Sequence, residues 1–173
     1  MKLFILRHAI AEDRLLFALT GKEDSQRPLT PKGQLKFRKT IYQLRALMGP
    51  LDLIVTSPFV RARQTASQIR DLYPEVTMLE SRALIPEASP EELIDWLKTN
   101  LPAKSESVLI VGHETHLSSL ASWFLHGASE SFLSLKKGGA MALQFKNKPA
   151  KGRGTLQWLV TPKCLRLKAK AAD

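Results

Sequence analysis

Arg7 and His8 stand side by side at the end of an apolar run near the start of the chain. Neither residue type is favoured in a protein core unless it has a partner. Two later apolar runs end in the same kinds of residue, in the segments "TSPFVRARQTA" and "VGHETH". A guanidinium matches phosphate oxygens, and a neutral imidazole can donate a hydrogen bond or attack phosphorus. The candidates for a phosphoryl-transfer site are therefore Arg7, His8, Arg61 and His113.

The elements that must position these side chains alternate between strands and helices. Strands are predicted at Lys2–Leu6, Leu53–Thr56, Val76–Leu79, Val108–Val111, Ala140–Phe145 and Thr155–Val160. Helices are predicted at Pro31–Met48, Phe59–Tyr73 and Pro90–Asn100, with a further helix holding Leu117 and Phe124. This alternation predicts a three-layer α/β/α fold with a mostly parallel central sheet and an antiparallel edge from the last two strands. Ligands bind beyond the carboxyl ends of such strands, so the four candidates are expected to meet there.

Length and composition favour one domain over residues 1–173, because 44% hydrophobic content can build one ordinary core. The single cysteine, Cys164, excludes an intramolecular disulfide and favours a reducing compartment. The sequence has neither a signal-peptide pattern nor a run long enough to span a bilayer, so we expect a cytoplasmic protein without a membrane partner.

Charge points to an anionic partner, because 26 basic and 16 acidic residues give a formal net charge of +10. Residues 136–173 hold ten basic residues and one acidic residue. This stretch is either a solvated face with a frayed basic tail over 164–173, or a contact surface. The sequence has no nucleic-acid-binding motif and few aromatic residues that could stack on bases, so a nucleic-acid partner is not expected.

Four segments in order, "ILRHA", "RPLTPKG", "TSPFVRARQTA" and "VGHE", resemble the histidine phosphatase superfamily, the phosphoglycerate mutase-like group. The short chain, with "DSQRPLTPKG", "VGHETHLSSLA", "LKKGGAMAL" and "WLVTPK", resembles the SixA-type phosphohistidine phosphatases within it. The resemblance implies a hydrolase that needs no cofactor and no metal. Its implied substrate is a histidine-phosphorylated signalling or phosphotransfer protein, and a monomer is favoured.

The same resemblance implies roles for individual residues. His8 is the expected nucleophile, while Arg7, Arg61 and His113 bind the phosphoryl oxygens. Glu87, in "ALIPEASP", is the candidate general acid. A phosphohistidine leaving group reduces the need for such an acid, because a protonated imidazole departs readily.

Several neighbouring residues keep two interpretations. Ser57 either caps the following helix or contacts phosphate, and Arg27 and Thr30 either border the phosphate or, for Thr30, cap a helix. Lys136 and Lys137 either receive an acidic protein or form a solvated turn. Arg63 is expected to face outward, and neither His116 nor His126 is expected to bind a metal.

Three functional alternatives remain open. The first is a small-metabolite phosphatase of the same superfamily, which the lack of a substrate-covering insertion disfavours; a mutase is disfavoured on similar grounds. The second is a basic nucleic-acid-binding module. The third is a phosphohistidine-binding module without catalysis, which the presence of all four candidate residues disfavours.

Overall fold

One mixed sheet forms the centre of the fold. This computed structural model describes residues 1–170, with side chains through Arg166. The strands are β1 (Lys2–Arg7), β2 (Leu53–Thr56), β3 (Thr77–Glu80), β4 (Ser107–Gly112), β5 (Ala140–Gln144) and β6 (Thr155–Val160). Their order is β3-β2-β4-β1-β5-β6; the first four are mutually parallel, β5 pairs antiparallel with β1, and β6 pairs antiparallel with β5. The predicted parallel sheet with an antiparallel edge is confirmed.

Helices cover both faces of this sheet. They are α1 (Arg14–Ala18), α2 (Pro31–Arg38), α3 (Ile41–Met48), α4 (Val60–Arg70), α5 (Pro90–Asn100), α6 (His116–His126) and α7 (Pro162–Lys170), with 3₁₀ turns at Asp24–Gln26 and Arg82–Leu84. Alternate residues of β1 enter different cores: Phe4 packs with α2, α3, α4 and α7, whereas Ile5 packs with α5 and α6. The predicted three-layer α/β/α architecture is confirmed.

The prediction of a single helix over Pro31–Met48 is wrong, because the helix is interrupted between α2 and α3. Thr40 is fully buried at the break, and its hydroxyl donates to the Phe37 carbonyl oxygen at 2.7 Å. This bond gives the carbonyl a partner outside the helical ladder. The apolar spacing continues through the break because α2 and α3 pack on the same core.

The tail predicted to be frayed over 164–173 is instead helical as far as Lys170. Helix α7 covers Pro162–Lys170, and Leu165 in it is buried against the α3 side of the core. Residues 171–173 lie outside the described residues. Within residues 1–170, no helix has both the length and the apolar character needed to cross a membrane.

Candidate active site

The carboxyl ends of β1 and β4 lie side by side, with Arg7 paired to Gly112. A cavity of about 380 Å³ opens beyond them. It brings together all four sequence-predicted candidates and three of the further ones: Arg7, His8, Arg61, His113, Arg27, Glu87 and Lys137. Convergence at the strand ends therefore follows the rule for parallel sheets.

Backbone hydrogen bonds fix the segment that carries Arg7 and His8. The His8 amide donates to the Gly112 carbonyl oxygen at 3.0 Å, and the Arg7 amide donates to Gly139 at 3.1 Å. The Gly138 amide is shared between the carbonyl oxygens of Arg7 and His8, at 3.1 Å each. Gly138 adopts a φ of 74°, a conformation that favours glycine. The "KKGG" turn therefore holds the segment that carries Arg7 and His8 through its backbone.

Helix α4 is fastened to the same segment by side chains that follow Arg61. The Thr65 hydroxyl donates to the Arg61 carbonyl oxygen at 2.7 Å and accepts from the Ala9 amide at 3.0 Å. The Gln64 side-chain oxygen accepts from the Leu29 amide at 2.7 Å. Gln64 and Thr65 therefore join α4 to the segments that hold Leu29 and Ala9.

The "LTPKG" segment positions the chain beyond His8. The Thr30 hydroxyl accepts from the Gly33 amide at 2.9 Å and so caps α2. A Cβ atom on Gly33 would collide with the Ile10 carbonyl oxygen, which itself accepts from the Thr30 amide at 3.0 Å. This close approach requires a glycine, and it supports the capping interpretation of Thr30.

His8 is buried, with 5% of its surface exposed. Its Nδ1 lies 2.7 Å from the Ala9 carbonyl oxygen. Because a carbonyl can only accept, Nδ1 carries the proton and the neutral ring keeps a lone pair on Nε2. Burial, together with the positive charges of Arg61, Arg7 and Arg27, lowers the His8 pKa to about 3.

His113 packs beside His8, with 5.2 Å between the ring centroids. Its Nε2 lies 2.8 Å from the Ser57 hydroxyl, which also accepts from the Phe59 amide at 3.3 Å. Burial, followed by the charge of Arg61, lowers the His113 pKa to about 2. Ser57 is fully buried and is absent from the cavity wall. Helix α4 begins at Val60 with Phe59 as its N-cap and has no side-chain cap hydrogen bond, so the capping interpretation of Ser57 is wrong; its hydroxyl instead contacts His113.

Phe59 links two of the candidates through its ring. Its centroid lies 5.0 Å from that of His113, and the Arg61 guanidinium carbon lies 5.0 Å from the same Phe59 centroid. These contacts restrict both side chains by packing and by a cation–π interaction. Sequence reasoning assigned Phe59 only to a helix.

Asp24, which sequence reasoning missed, holds two arginines. One carboxylate oxygen accepts from Arg61 Nη2 at 2.9 Å, and the other accepts from Arg27 Nε at 2.8 Å. The Asp24 carbonyl oxygen also accepts from Arg61 Nη1 at 2.7 Å. Burial raises the Asp24 pKa, but the hydrogen bond from Arg27 and the charge of Arg61 outweigh it, so the net pKa shift is downward. The spacing of Asp24 and Arg27 is the only sequence signal for this cluster.

Arg7 is held by a different backbone segment. Its Nη1 donates to the Leu135 carbonyl oxygen at 2.7 Å. The Leu135 amide donates to the Glu114 carboxylate at 2.8 Å. Burial lowers the Arg7 pKa, while the charge of Glu114 opposes that shift. Sequence analysis gave Glu114 no role in the site, so this contact was missed.

Comparison with known proteins identifies the family to which this chain belongs. The histidine phosphatase superfamily (branch 1) model matches residues 3–84. A protein from Picosynechococcus sp. is 34% identical over 146 residues, covering 83% of this chain and 85% of its own. The phosphohistidine phosphatase SixA of Escherichia coli is 27% identical over 175 residues, covering 99% of both chains. The chain belongs to the histidine phosphatase superfamily.

Solved structures of this superfamily share the fold. The protein histidine phosphatase SixA complexed with tungstate superposes with a TM-score of 0.78, at 24% identity, over 95% of this chain and 99% of that chain. Phosphoserine phosphatase and α-ribazole phosphatase structures also share it. Membership of the histidine phosphatase superfamily supports a phosphatase, and the fold alone leaves its substrate open.

The remaining predicted residues take varied positions within this histidine phosphatase fold. Glu87 is exposed on the cavity wall. Arg63 lies 3.5 Å from Glu80, and both are about half exposed, so Arg63 faces outward as predicted. His126 is exposed, whereas His116 is buried, and neither ring nitrogen of His116 has a hydrogen-bond partner within the described part of the chain. Lys137 lines the cavity.

Proposed function

We propose that this protein is a phosphohistidine phosphatase, which removes phosphate from a histidine-phosphorylated signalling or phosphotransfer protein through a phospho-His8 intermediate. The observation that carries the proposal is the His8 tautomer: Nδ1 is bonded to the Ala9 carbonyl oxygen, which leaves Nε2 as a neutral nucleophile beside two arginines. Similarity to SixA along the whole chain supports the phosphohistidine substrate.

In the first step, His8 Nε2 attacks the phosphorus atom of the substrate. A bond from Nε2 to phosphorus forms as the bond from phosphorus to the substrate imidazole breaks. The bonding electrons leave with that imidazole, which takes up a proton from solvent and departs as a neutral ring. The guanidinium groups of Arg7 and Arg61 stabilise the charge on the transferring oxygens.

Unpartnered nitrogen atoms support this binding mode. The Nε atoms of Arg7 and Arg61, and Nδ1 of His113, are buried and have no hydrogen-bond partner among the described residues. Buried donors normally have acceptors, and phosphoryl oxygens would supply them. If the Ser57 hydroxyl donates to His113 Nε2, the proton of the neutral His113 ring lies on Nδ1 and can be donated to the phosphoryl group.

In the second step, water attacks phospho-His8. A new bond from oxygen to phosphorus forms, the bond from phosphorus to Nε2 breaks, and orthophosphate leaves. The electron pair returns to Nε2, while the proton from water passes to the phosphate or to solvent. His8 is regenerated in its original tautomer, and neither step uses a metal or a redox cofactor.

A protein substrate is supported by the rim of the cavity. Leu15 and Leu16 of helix α1, and Leu19 directly after its end, are 79%, 68% and 83% exposed. They adjoin Asp13 and Arg14, both of which line the cavity. Exposed leucines clustered beside a site favour contact with a macromolecule. We place this activity in the cytoplasm, where the single Cys164 would remain reduced.

Glu87 gives the second candidate function its support. A phosphoester releases an alkoxide, which needs a proton as it departs, and Glu87 lies on the cavity wall where an acid could supply one. A small-metabolite phosphatase of the same superfamily would therefore depend on Glu87. Hydrolysis of phosphohistidine would depend on it much less.

Phosphate release decides between these functions. The substrates are a histidine-phosphorylated phosphotransfer domain, a phosphoserine peptide and 3-phosphoglycerate, tested with wild type, His8→Ala and His126→Ala as the surface control. We expect release only from the phosphohistidine domain, with loss in His8→Ala and retention in His126→Ala. Faster turnover of 3-phosphoglycerate, lost in Glu87→Gln, would establish the metabolite phosphatase instead.

A further inference from the structure

A second cavity, of about 370 Å³, lies next to the catalytic one. Its apolar lining residues are Ala9, Ile10, Phe37 and Pro162, contributed by the segment after His8, by α2 and by α7. The two cavities share Lys137. We call this second cavity the basic groove, because five of its lining residues are basic: Lys36, Lys136, Lys137, Lys163 and Arg166.

All charged residues that line the basic groove are positive. None of the five forms an ion pair with an acidic side chain in the described part of the chain. Burial and the charges of Arg7 and Arg27 lower the Lys137 pKa. Clustered like charges repel one another, so an acidic ligand would be attracted by all five basic residues and relieve their repulsion.

The groove is continuous with the proposed nucleophile through the chain itself. Ala9 and Ile10 directly follow His8, and Gly138, which also lines the groove, donates its amide to the His8 carbonyl oxygen. A molecule that lies in the groove therefore borders the residue that would accept its phosphoryl group. No such extension is needed by a small phosphoester, because the catalytic cavity alone holds its phosphate.

We infer that the basic groove docks an acidic segment of the phosphoprotein substrate, which places one apolar side chain on the Ile10 and Pro162 surface. This inference rests on the proposed function and adds the substrate's binding surface to it. Apolar contact combined with charge complementarity is typical of protein interfaces.

Two other occupants fit the groove less well. Single-stranded nucleic acid needs aromatic faces for stacking, but Phe37, the only aromatic residue in the lining, is 3% exposed. A second copy of the chain carries a net charge of +10, so it would be repelled by the groove. An acidic protein segment satisfies both the apolar surface and the charge.

The test reverses two charges that lie outside the catalytic cavity. Lys36→Glu/Lys163→Glu is compared with Lys104→Glu/Lys148→Glu, a control with the same change in net charge on exposed residues beside Met1, at the amino end of β1. The substrates are free phosphohistidine and an acidic histidine-phosphorylated phosphotransfer domain. A third probe is the same domain with its surface Glu and Asp residues changed to Gln and Asn.

We expect the groove variant to raise KM for the acidic domain roughly 10-fold, while the control variant changes it little. Turnover of free phosphohistidine should be the same in all three proteins. The neutralised domain should bind wild type as weakly as the acidic domain binds the groove variant. Equal KM values for wild type and the groove variant, or equal loss in both variants, would overturn the docking site.

A binding measurement separates this inference from the proposed function. Unphosphorylated acidic domain is titrated against wild type and both variants by calorimetry, and the groove variant alone should lose binding. Failure of wild type to release phosphate from the histidine-phosphorylated domain would overturn the proposed function, while the titration would still test the groove. A groove that binds single-stranded DNA more tightly than the acidic domain, or a dimer that the groove variant abolishes, would overturn the inference.

Discussion

His8, His113 and His116 are buried where a proton is poorly tolerated. Burial is the main cause, and it lowers their pKa values from 6.5 to about 3, about 2 and about 4 respectively. The neutral form of His8 is the one that has a lone pair for attack. The same burial that keeps His8 neutral near neutral pH also makes the fold sensitive to acid.

The free energy of unfolding is therefore expected to fall as the pH falls below about 6.5. The unfolded chain binds protons at these histidines near pH 6.5, whereas the folded chain resists them until pH 4 to 2. The stabilisation is complete above pH 6.5 and lost downward through this window, at up to about 1.4 kcal/mol per pH unit for each histidine. Urea unfolding at a series of pH values measures the slope.

A pair of variants isolates one histidine in that measurement. His116→Asn should reduce the pH slope by about one proton, because a buried neutral histidine is removed. His126→Asn removes an exposed histidine and should keep the wild-type slope. An unchanged slope in His116→Asn would contradict the assignment of acid sensitivity to burial.

Asp24→Asn is expected to lower kcat/KM for phosphohistidine by up to about 100-fold, because Arg61 and Arg27 lose the carboxylate that sets their positions. The pH profile of the remaining activity should keep its shape, since His8 is untouched. Asp95→Asn is the matched control, because Asp95 pairs with Lys98 on the surface. A drop of the same size in the control, or none in Asp24→Asn, would contradict the positioning role.

Sequence reasoning found the residues at the strand ends but missed their partners. Arg7, His8 and His113 follow apolar runs, and topology sends such positions to one rim. Asp24 begins the short 3₁₀ turn Asp24–Gln26 and meets Arg61, 37 positions away, only after α4 has packed. Glu114 reaches Arg7 only through Leu135, whose amide donates to the Glu114 carboxylate and whose carbonyl oxygen accepts from Arg7. Neither contact has a sequence period from which it could be predicted.

At the scale of elements, apolar spacing predicted packing better than continuity. Ile41, Leu44 and Met48 all enter the core on the predicted stripe, although the helix that holds them is separate from α2. Helix α1 was missed because its leucines face outward. A pattern of burial cannot identify a helix that buries only Phe17.

The attachment of α4 to the segment after His8 depends on one hydroxyl. Thr65→Val keeps the shape of the side chain but leaves the Ala9 amide without its acceptor. We expect unfolding to require about 1–3 kcal/mol less free energy, together with a fall in kcat, because the Ala9 carbonyl oxygen also accepts the hydrogen bond from His8 Nδ1. Thr99→Val, on the exposed face of α5, is the control and should change neither quantity.

The contact of α2 with Ile10 depends on the absence of a side chain at Gly33. Gly33→Ala places a Cβ atom against the Ile10 carbonyl oxygen, so the helix or the segment must shift. Overpacking of this kind costs about 1–3 kcal/mol, measurable by urea unfolding. Lys32→Ala, one position earlier and exposed, should leave stability almost unchanged. A Gly33→Ala protein as stable as wild type would show that the contact relaxes freely.

At the scale of the whole molecule, strand order decides what the site contains. The sequence predicted strands, helices and the edge of the sheet, but not that β4 lies between β2 and β1. That order sets the carboxyl end of β4, with His113, between those of β2 and β1, which lead to Arg61 and His8. Strand order depends on long-range packing, which apolar patterns along the chain do not encode.

The net charge of +10 would attract any anion, so anion binding alone does not identify the site. Tungstate, a tetrahedral oxyanion, should raise the melting temperature of wild type more than sodium chloride does at equal ionic strength. At 100 times its Kd, tungstate should add about 2.7 kcal/mol to the free energy of unfolding. Arg61→Gln should lose this gain because the buried Arg61 guanidinium lines the cavity. Arg63→Gln removes the same charge two positions away, on the surface, and should keep it. Equal gains in both variants would mean that tungstate responds to overall charge rather than to the arginines of the catalytic cavity.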